Sequence, residues 1–240
     1  IPFSHLDIGF TGTQQEVSQL YIEMMNNLLE IMAIFPDFTF TIETYWQLQQ
    51  WLESSPSQQN IQKLIEYLKS GRLELGVAYA SLHTGFMNEL SLNSALRYSL
   101  EFAKENNFII NTAIMNDVPG YSQDLPDIFY KINISYFMSG INDKYADILK
   151  LPGLTNIFYW EGPNGGRVLT WITKGSYMEG ITYKNVSSLE HYIKELEENG
   201  YPYDAVALLV AFDNAGIEPG VISYLNFIET SSVSELEIKF

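Results

Sequence analysis

No cysteine occurs in the 240 residues. Disulfides, thiolate metal ligands and cysteine nucleophiles are thereby excluded together, and any metal must be held by His and carboxylates. Basic side chains are scarce: 13 Lys and Arg stand against 29 Asp and Glu, for a formal net charge of −16. So acidic a chain has little with which to release counterions from a phosphate backbone, which argues against nucleic acid as a partner; neutral or cationic ligands fit better. No apolar run approaches the roughly 18 to 20 residues that a membrane-spanning helix requires. Internal repeats and low-complexity segments are also missing. The first residue is Ile and no charged-then-apolar leader is seen, so a processing boundary just upstream is expected. The compartment stays open, secreted or periplasmic if a leader has been removed.

What is present is a large apolar fraction, 46%, enough at this length for one large core. IPFSHLDIGF reads as a short strand ending in a Gly turn, and TGTQQEVSQLYIEMMNNLLEIMAIF as a helix of about five turns. FTFTIETYW reads as the second strand, with Thr39, Thr41 and Glu43 on one face. Helices follow around Trp46 to Trp51 and Gln59 to Leu68, the latter stopped by Gly71. LELGVAY is a third strand, Ser91 to Asn106 a helix, and FIINTAIMND a strand rich in the residues that burial on both faces requires. Then come a helix near Pro126 to Lys131, strands in ISYFMSG, NIFYW and RVLTWIT, a helix over Ser187 to Asn199, and strands AVALLVAF and SELEIKF. Such alternation predicts parallel strands with right-handed crossovers, closing into a barrel. No internal domain boundary is visible.

In parallel α/β folds, ligand sites gather at the carboxyl ends of the strands. His5 and Asp7 end the first strand, Glu43 the second, and Asn116 and Asp117 the fourth. His83 and Glu89 lie in the loop after the third, and AVALLVAF runs into Asp213 and Asn214. Alternate residues of a strand share a face, so His5 and Asp7 stand side by side, a geometry that suits a divalent cation as well as a plain hydrogen-bonded pair. Asp117 either caps a turn before Val-Pro-Gly or is presented to a site. Asp213 carries the same ambiguity, because FDNAG is good turn chemistry. Trp46, Trp51, Trp160 and Trp171 read as core in preference to sugar platforms.

SHLDIGFTGT resembles the HxDxGW-type opening of family 38 glycoside hydrolases, whose His and Asp bind zinc. TIETYWQLQQWL, GRLELGVAYASLHTGFMNEL, TAIMNDVPGYSQDLPDIFYKINISYFMSG, FYWEGPNGGRVLTWIT and VALLVAFDNAG are similar to further segments of that family, in its order, over most of the chain. The resemblance implies an α-mannosidase working by retaining chemistry, with Asp117 as nucleophile, His5, Asp7 and Asp117 as Zn2+ ligands, and a mannose-containing glycan as substrate. It also implies Phe10, Glu43, His83, Tyr121 and Asp213 as residues lining the substrate. Phe10 departs from the family's usual Trp and Tyr121 from its usual His. The family's acid/base position falls in GSYMEG, where Glu179, displaced by one residue, is the candidate. The family's downstream His ligand has no counterpart, since the last His, His191, falls in an expected surface helix.

The expectation is therefore a single, irregular seven-stranded β/α barrel over residues 1–240, a catalytic domain of a longer chain that carries further domains downstream. Two other functions fit a barrel of this shape. A metal-dependent carbohydrate deacetylase would need more imidazoles near His5, and a non-catalytic sugar-binding barrel would lack the acid/base.

Overall fold

Thr13 opens the first helix with a reciprocal cap: its side chain accepts from Glu16 N at 3.3 Å, and Glu16 Oε2 accepts from Thr13 N at 2.8 Å. In the computed structural model, which describes residues 1–140, 156–173, 176–182 and 186–215, this is α1, Gln14–Ile34. Its apolar face, with Tyr21, Met24, Met25, Leu28 and Met32 buried, packs on α2, Tyr45–Glu53, and α3, Gln58–Ser70. Trp51 is fully buried in that layer, and its indole N–H donates to Asn26 at 2.9 Å. Gly71 ends α3 with φ of 75°, a left-handed conformation that glycine adopts without penalty.

The strands are short. Parallel β1, Phe40–Ile42, and β2, Leu73–Leu75, form one sheet. The second runs β3 (Thr112–Ile114), β4 (Tyr136–Ser139), β6 (Arg167–Ile172), β5 (Ile157–Glu161), parallel throughout except for the β5–β6 hairpin. Between them run α4, Glu89–Asn106, and α5, Leu125–Lys131. After β6 come α6, Glu179–Thr182, and α7, Val186–Glu198.

The fold is thus mixed α/β, as the alternation predicts, but the seven-stranded barrel is corrected: the described residues hold six strands in two small sheets. The opening segment and AVALLVAF, both expected as strands, make isolated parallel bridges instead, Phe3 to Thr41, Pro2 to Val210 and His5 to Asp213. Pro2 has no N–H to give a ladder, and one antiparallel hairpin interrupts the parallel order. SELEIKF lies outside the described residues. The bridges still set the opening segment between β1 and residues 210–213, which brings three strand ends together. Trp46, Trp51 and Trp171 are buried, and Trp160 packs partly buried against the core.

Candidate active site

His5 sits where the opening segment meets residues 210–213, its backbone N–H donating to Phe212 O at 3.1 Å and its carbonyl accepting from Asn214 N at 2.8 Å. The ring is buried at 1% exposure. One edge faces Glu43: Nδ1 lies 3.0 and 3.2 Å from the two carboxylate oxygens. The other edge faces Asp7 Oδ1 at 3.9 Å and Asp117 Oδ2 at 4.0 Å, and both carboxylates keep partial access to solvent. One donor atom from each of His5, Asp7 and Asp117 lies within 4.8 Å of the others.

This donor set fits a divalent cation. Nitrogen and oxygen ligands suit zinc, and bonds of about 2.0 to 2.2 Å in a tetrahedron separate ligand atoms by about 3.3 Å. The His–carboxylate separations are a little wider than that, so a small closure would complete three ligands and leave a side open.

The strand ends are held in unusual backbone. Asp117 has φ of 54° and Asn214 φ of 45°, left-handed conformations that Asp and Asn tolerate better than other side chains. Asp117 N donates to Gly140 O at 3.0 Å across from β4. Asn214 ties the other side down: its Oδ1 accepts from Asp7 N at 3.0 Å, and its Nδ2 donates to Asp7 O at 2.6 Å and to Thr11 Oγ1. Tyr177 lies against the His5 ring, centroids 4.3 Å apart, and its hydroxyl donates to Asp213 Oδ1 at 2.6 Å. A methyl group at Gly140 would overlap the Tyr177 backbone, so this glycine is what lets the tyrosine come so close.

Charges in the cluster are mutually dependent. Burial alone would lower the His5 pKa, but the charge and hydrogen bond of Glu43, with Asp7 and Asp117 beyond, push it up to about 9. Asp7 is raised, first by burial and then by the neighbouring Asp213 and Asp117 carboxylates, with His5 opposing. Burial, the hydrogen bond to Asp213 and the surrounding carboxylates raise the Tyr177 phenol, keeping it a donor.

The remaining residues implied by the resemblance are scattered. Glu43 is 1% exposed and faces no opening. Tyr121 donates to Met115 O at 2.7 Å and pairs with Ser139 at 2.6 Å, so its hydroxyl is engaged beneath the site. Phe10 is exposed in the loop before α1. His83 is exposed beside Phe86, and His191 is exposed on α7, neither in the converging group. Glu179 is fully buried and accepts from Tyr192 at 2.9 Å. Sequence reading passed over Tyr177, whose place in a loop leaves no periodic signal. Asn214 was signalled at a strand end, though its turn chemistry is as good a reading.

A family model described as the glycosyl hydrolases family 38 N-terminal domain matches residues 1–222. The fold is similar to an alpha-mannosidase from Enterococcus faecalis V583, with TM-score 0.78 and 14% identity over the whole of this chain and 27% of that one. A glycosyl hydrolase family 38 protein from Enterococcus faecalis gives TM-score 0.68 and 14% identity, with 25% of its chain covered. A 4-alpha-glucanotransferase from Thermococcus litoralis gives 0.63 and 15%, with 39% covered. Each likeness is one of fold, and the chain spans about a quarter of the length of the two Enterococcus proteins. Comparison with curated protein sequences finds no match.

Proposed function

The chain belongs to glycosyl hydrolase family 38, and from that premise we propose that it carries the metal-binding and nucleophile-bearing part of a retaining α-mannosidase. The observation that supports this most is the convergence of His5 Nε2 with Asp7 and Asp117 oxygens at the strand ends. His5, Asp7 and Asp117 would hold Zn2+. When bound, the ion supplies Lewis acidity toward sugar hydroxyls and a countercharge that keeps the adjacent carboxylate ionised.

Asp117 is the nucleophile in this reading. Its carboxylate attacks the anomeric carbon of an α-mannoside, the glycosidic C–O bond breaks, and a covalent glycosyl ester forms as the leaving oxygen takes a proton. We assign that proton to Asp213 in place of Glu179. Asp213 is exposed at its strand end in register with His5, and Tyr177 engages one of its oxygens. In the second step the Asp213 carboxylate takes a proton from water, whose oxygen attacks the anomeric carbon and restores Asp117, so that configuration is retained. Phe10, exposed three residues after Asp7, would meet a sugar face. A deacetylase would draw more imidazoles to the cluster, and His83 and His191 stand elsewhere. Domains beyond this chain, in a longer polypeptide, would complete the enclosure of the glycan.

The test is zinc content and hydrolysis of an aryl α-mannoside by the full-length protein, with product anomers followed by NMR. About one zinc per chain and initial release of the α-anomer are expected, both lost in Asp7→Ala, with turnover alone lost in Asp213→Asn. Wild-type protein with neither zinc nor turnover would overturn the reading.

A further inference from the structure

Glu43 lies behind the site, where no ligand reaches it, yet its carboxylate is fully engaged. Oε2 accepts from Leu6 N at 2.8 Å, Oε1 accepts from Asn116 Nδ2 at 2.6 Å, and both oxygens face His5 Nδ1. The direction of these bonds is fixed from outside. Asn116 Oδ1 accepts from Gly140 N at 2.6 Å, so its amide nitrogen has to point at Glu43. Both oxygens already accept from N–H donors, so the His5 nitrogen that faces them carries the hydrogen. In the neutral ring the lone pair then lies on Nε2, toward Asp7 and Asp117.

We infer that Glu43, oriented by Asn116, is a positioning residue for the metal site: it holds His5 as the Nδ1–H tautomer and aims the Nε2 lone pair at the cation. A metal-bound imidazole whose other N–H is held by a carboxylate is a better electron donor and is locked in orientation. The inference rests on the proposal that His5, Asp7 and Asp117 bind metal, and it assigns Glu43 a role other than touching substrate. Glutamine at this position keeps the shape but has one acceptor oxygen for three donors, so one N–H of Leu6, His5 or Asn116 must face an amide nitrogen.

The experiment uses full-length protein, wild type and Glu43→Gln, with Zn2+ affinity read by chelator competition, Co2+ bound in place of zinc for its visible spectrum, and thermal midpoints measured with and without metal. Zinc affinity 10- to 100-fold weaker in Glu43→Gln is expected, together with an altered Co2+ spectrum and a metal-loaded midpoint lowered more than the metal-free one. Affinity within twofold and an unchanged spectrum would overturn the positioning role while leaving the metal site standing. A metal-free midpoint lowered as much as the metal-loaded one would also overturn it, marking Glu43 as structural support. Failure of wild-type protein to bind Zn2+ or Co2+ would instead overturn the metal reading beneath it.

Discussion

Glu43 and Asp127 are both buried carboxylates, and both are satisfied by hydrogen bonds from residues far away in sequence. Asp127, on α5, accepts from Gly166 N at 2.7 Å, Asn164 N at 3.0 Å and Asn164 Nδ2 at 3.1 Å, clamping the turn between β5 and β6. Glycines 162 and 166 press so closely on it that a methyl group at either would overlap its atoms. Two of its three donors are backbone, and no titratable ring is among them. Glu43 spends its acceptors on an imidazole, an amide and one backbone N–H. One carboxylate fixes a loop and the other a side chain whose far edge opens toward two more carboxylates. Burial and satisfaction alone therefore do not mark function; the chemistry of the donor does.

The largest expected effect falls outside the pair and calibrates it. Asp117→Asn keeps the shape but removes the charge, and turnover of an aryl α-mannoside by the full-length protein should fall by at least about a thousandfold. The metal-free thermal midpoint should hold or rise, because three acidic side chains crowd one imidazole. Turnover within tenfold of wild type would remove Asp117 as nucleophile. Asp127→Ala should do the reverse: it takes the acceptor from three donors of the β5–β6 turn, the Gly166 N–H among them buried, and should lower the midpoint by roughly 5 °C, while zinc affinity stays within about twofold. A loss of zinc binding comparable to that in Glu43→Gln would break the contrast between the two carboxylates.

Gly76→Ala probes the Glu43 side from its backbone. A methyl group there would overlap the Glu43 carbonyl oxygen and Ile114, since Gly76 N already donates to Ile42 O at 2.9 Å. Overpacking of this kind costs about 1 to 3 kcal/mol, and because it displaces Glu43 it should weaken zinc binding as well. Chelator competition alongside thermal melts measures both; a stability loss with unchanged zinc affinity would show that the Glu43 carboxylate keeps its place independently of its backbone.

The helices were legible because their signals are local. Gly71 and the apolar spacing of α1 both lie within a few residues of what they determine. The converging triad was partly legible, since the two-residue period of a strand pairs His5 with Asp7. Barrel closure was not, because ladders between short strands are set by contacts across the chain. The same holds for Glu43: its donors lie 37, 38 and 73 residues away, and no motif distinguishes a carboxylate that grips a histidine from one that lines a pocket. The burial of Glu179 was illegible for a matching reason, as the Tyr192 that donates to it comes from a different helix.

The two carboxylates should also part company with pH. Hydrogen bonds from Asn164 and Gly166 hold Asp127 below the usual carboxylate range although burial works the other way. A depressed acid contributes stability above its unfolded pKa, which is lost as pH falls through the folded one, so this contribution fades only in strong acid. His5 is raised from 6.5 to about 9. A raised base contributes stability that is complete below about 6.5 and disappears as pH rises through about 9, so metal-free protein should lose stability across that window. Metal needs the neutral ring, so zinc affinity should climb over the same window. Melts of metal-free and zinc-loaded protein at pH 6, 7.5 and 9 should therefore diverge; parallel curves would mean that His5 does not carry the proton.

The smallest expected effect is that of Tyr177→Phe. The ring stacked on His5 is kept, and what disappears is the 2.6 Å hydrogen bond to Asp213. Zinc affinity should stay within about threefold, because neither Glu43 nor the ligand atoms lose a partner. Turnover should fall by about tenfold, the loss of one hydrogen bond to a charged group being worth about 1.5 to 3 kcal/mol at most. Asp213 must be protonated to give the leaving oxygen its proton, and a carboxyl group deprived of a donor holds its proton more tightly, so the substitution should also shift the alkaline limb of the pH–rate profile upward. An unshifted alkaline limb with lowered zinc affinity would place Tyr177 with Glu43 among the residues that hold His5, and would detach Asp213 from proton transfer.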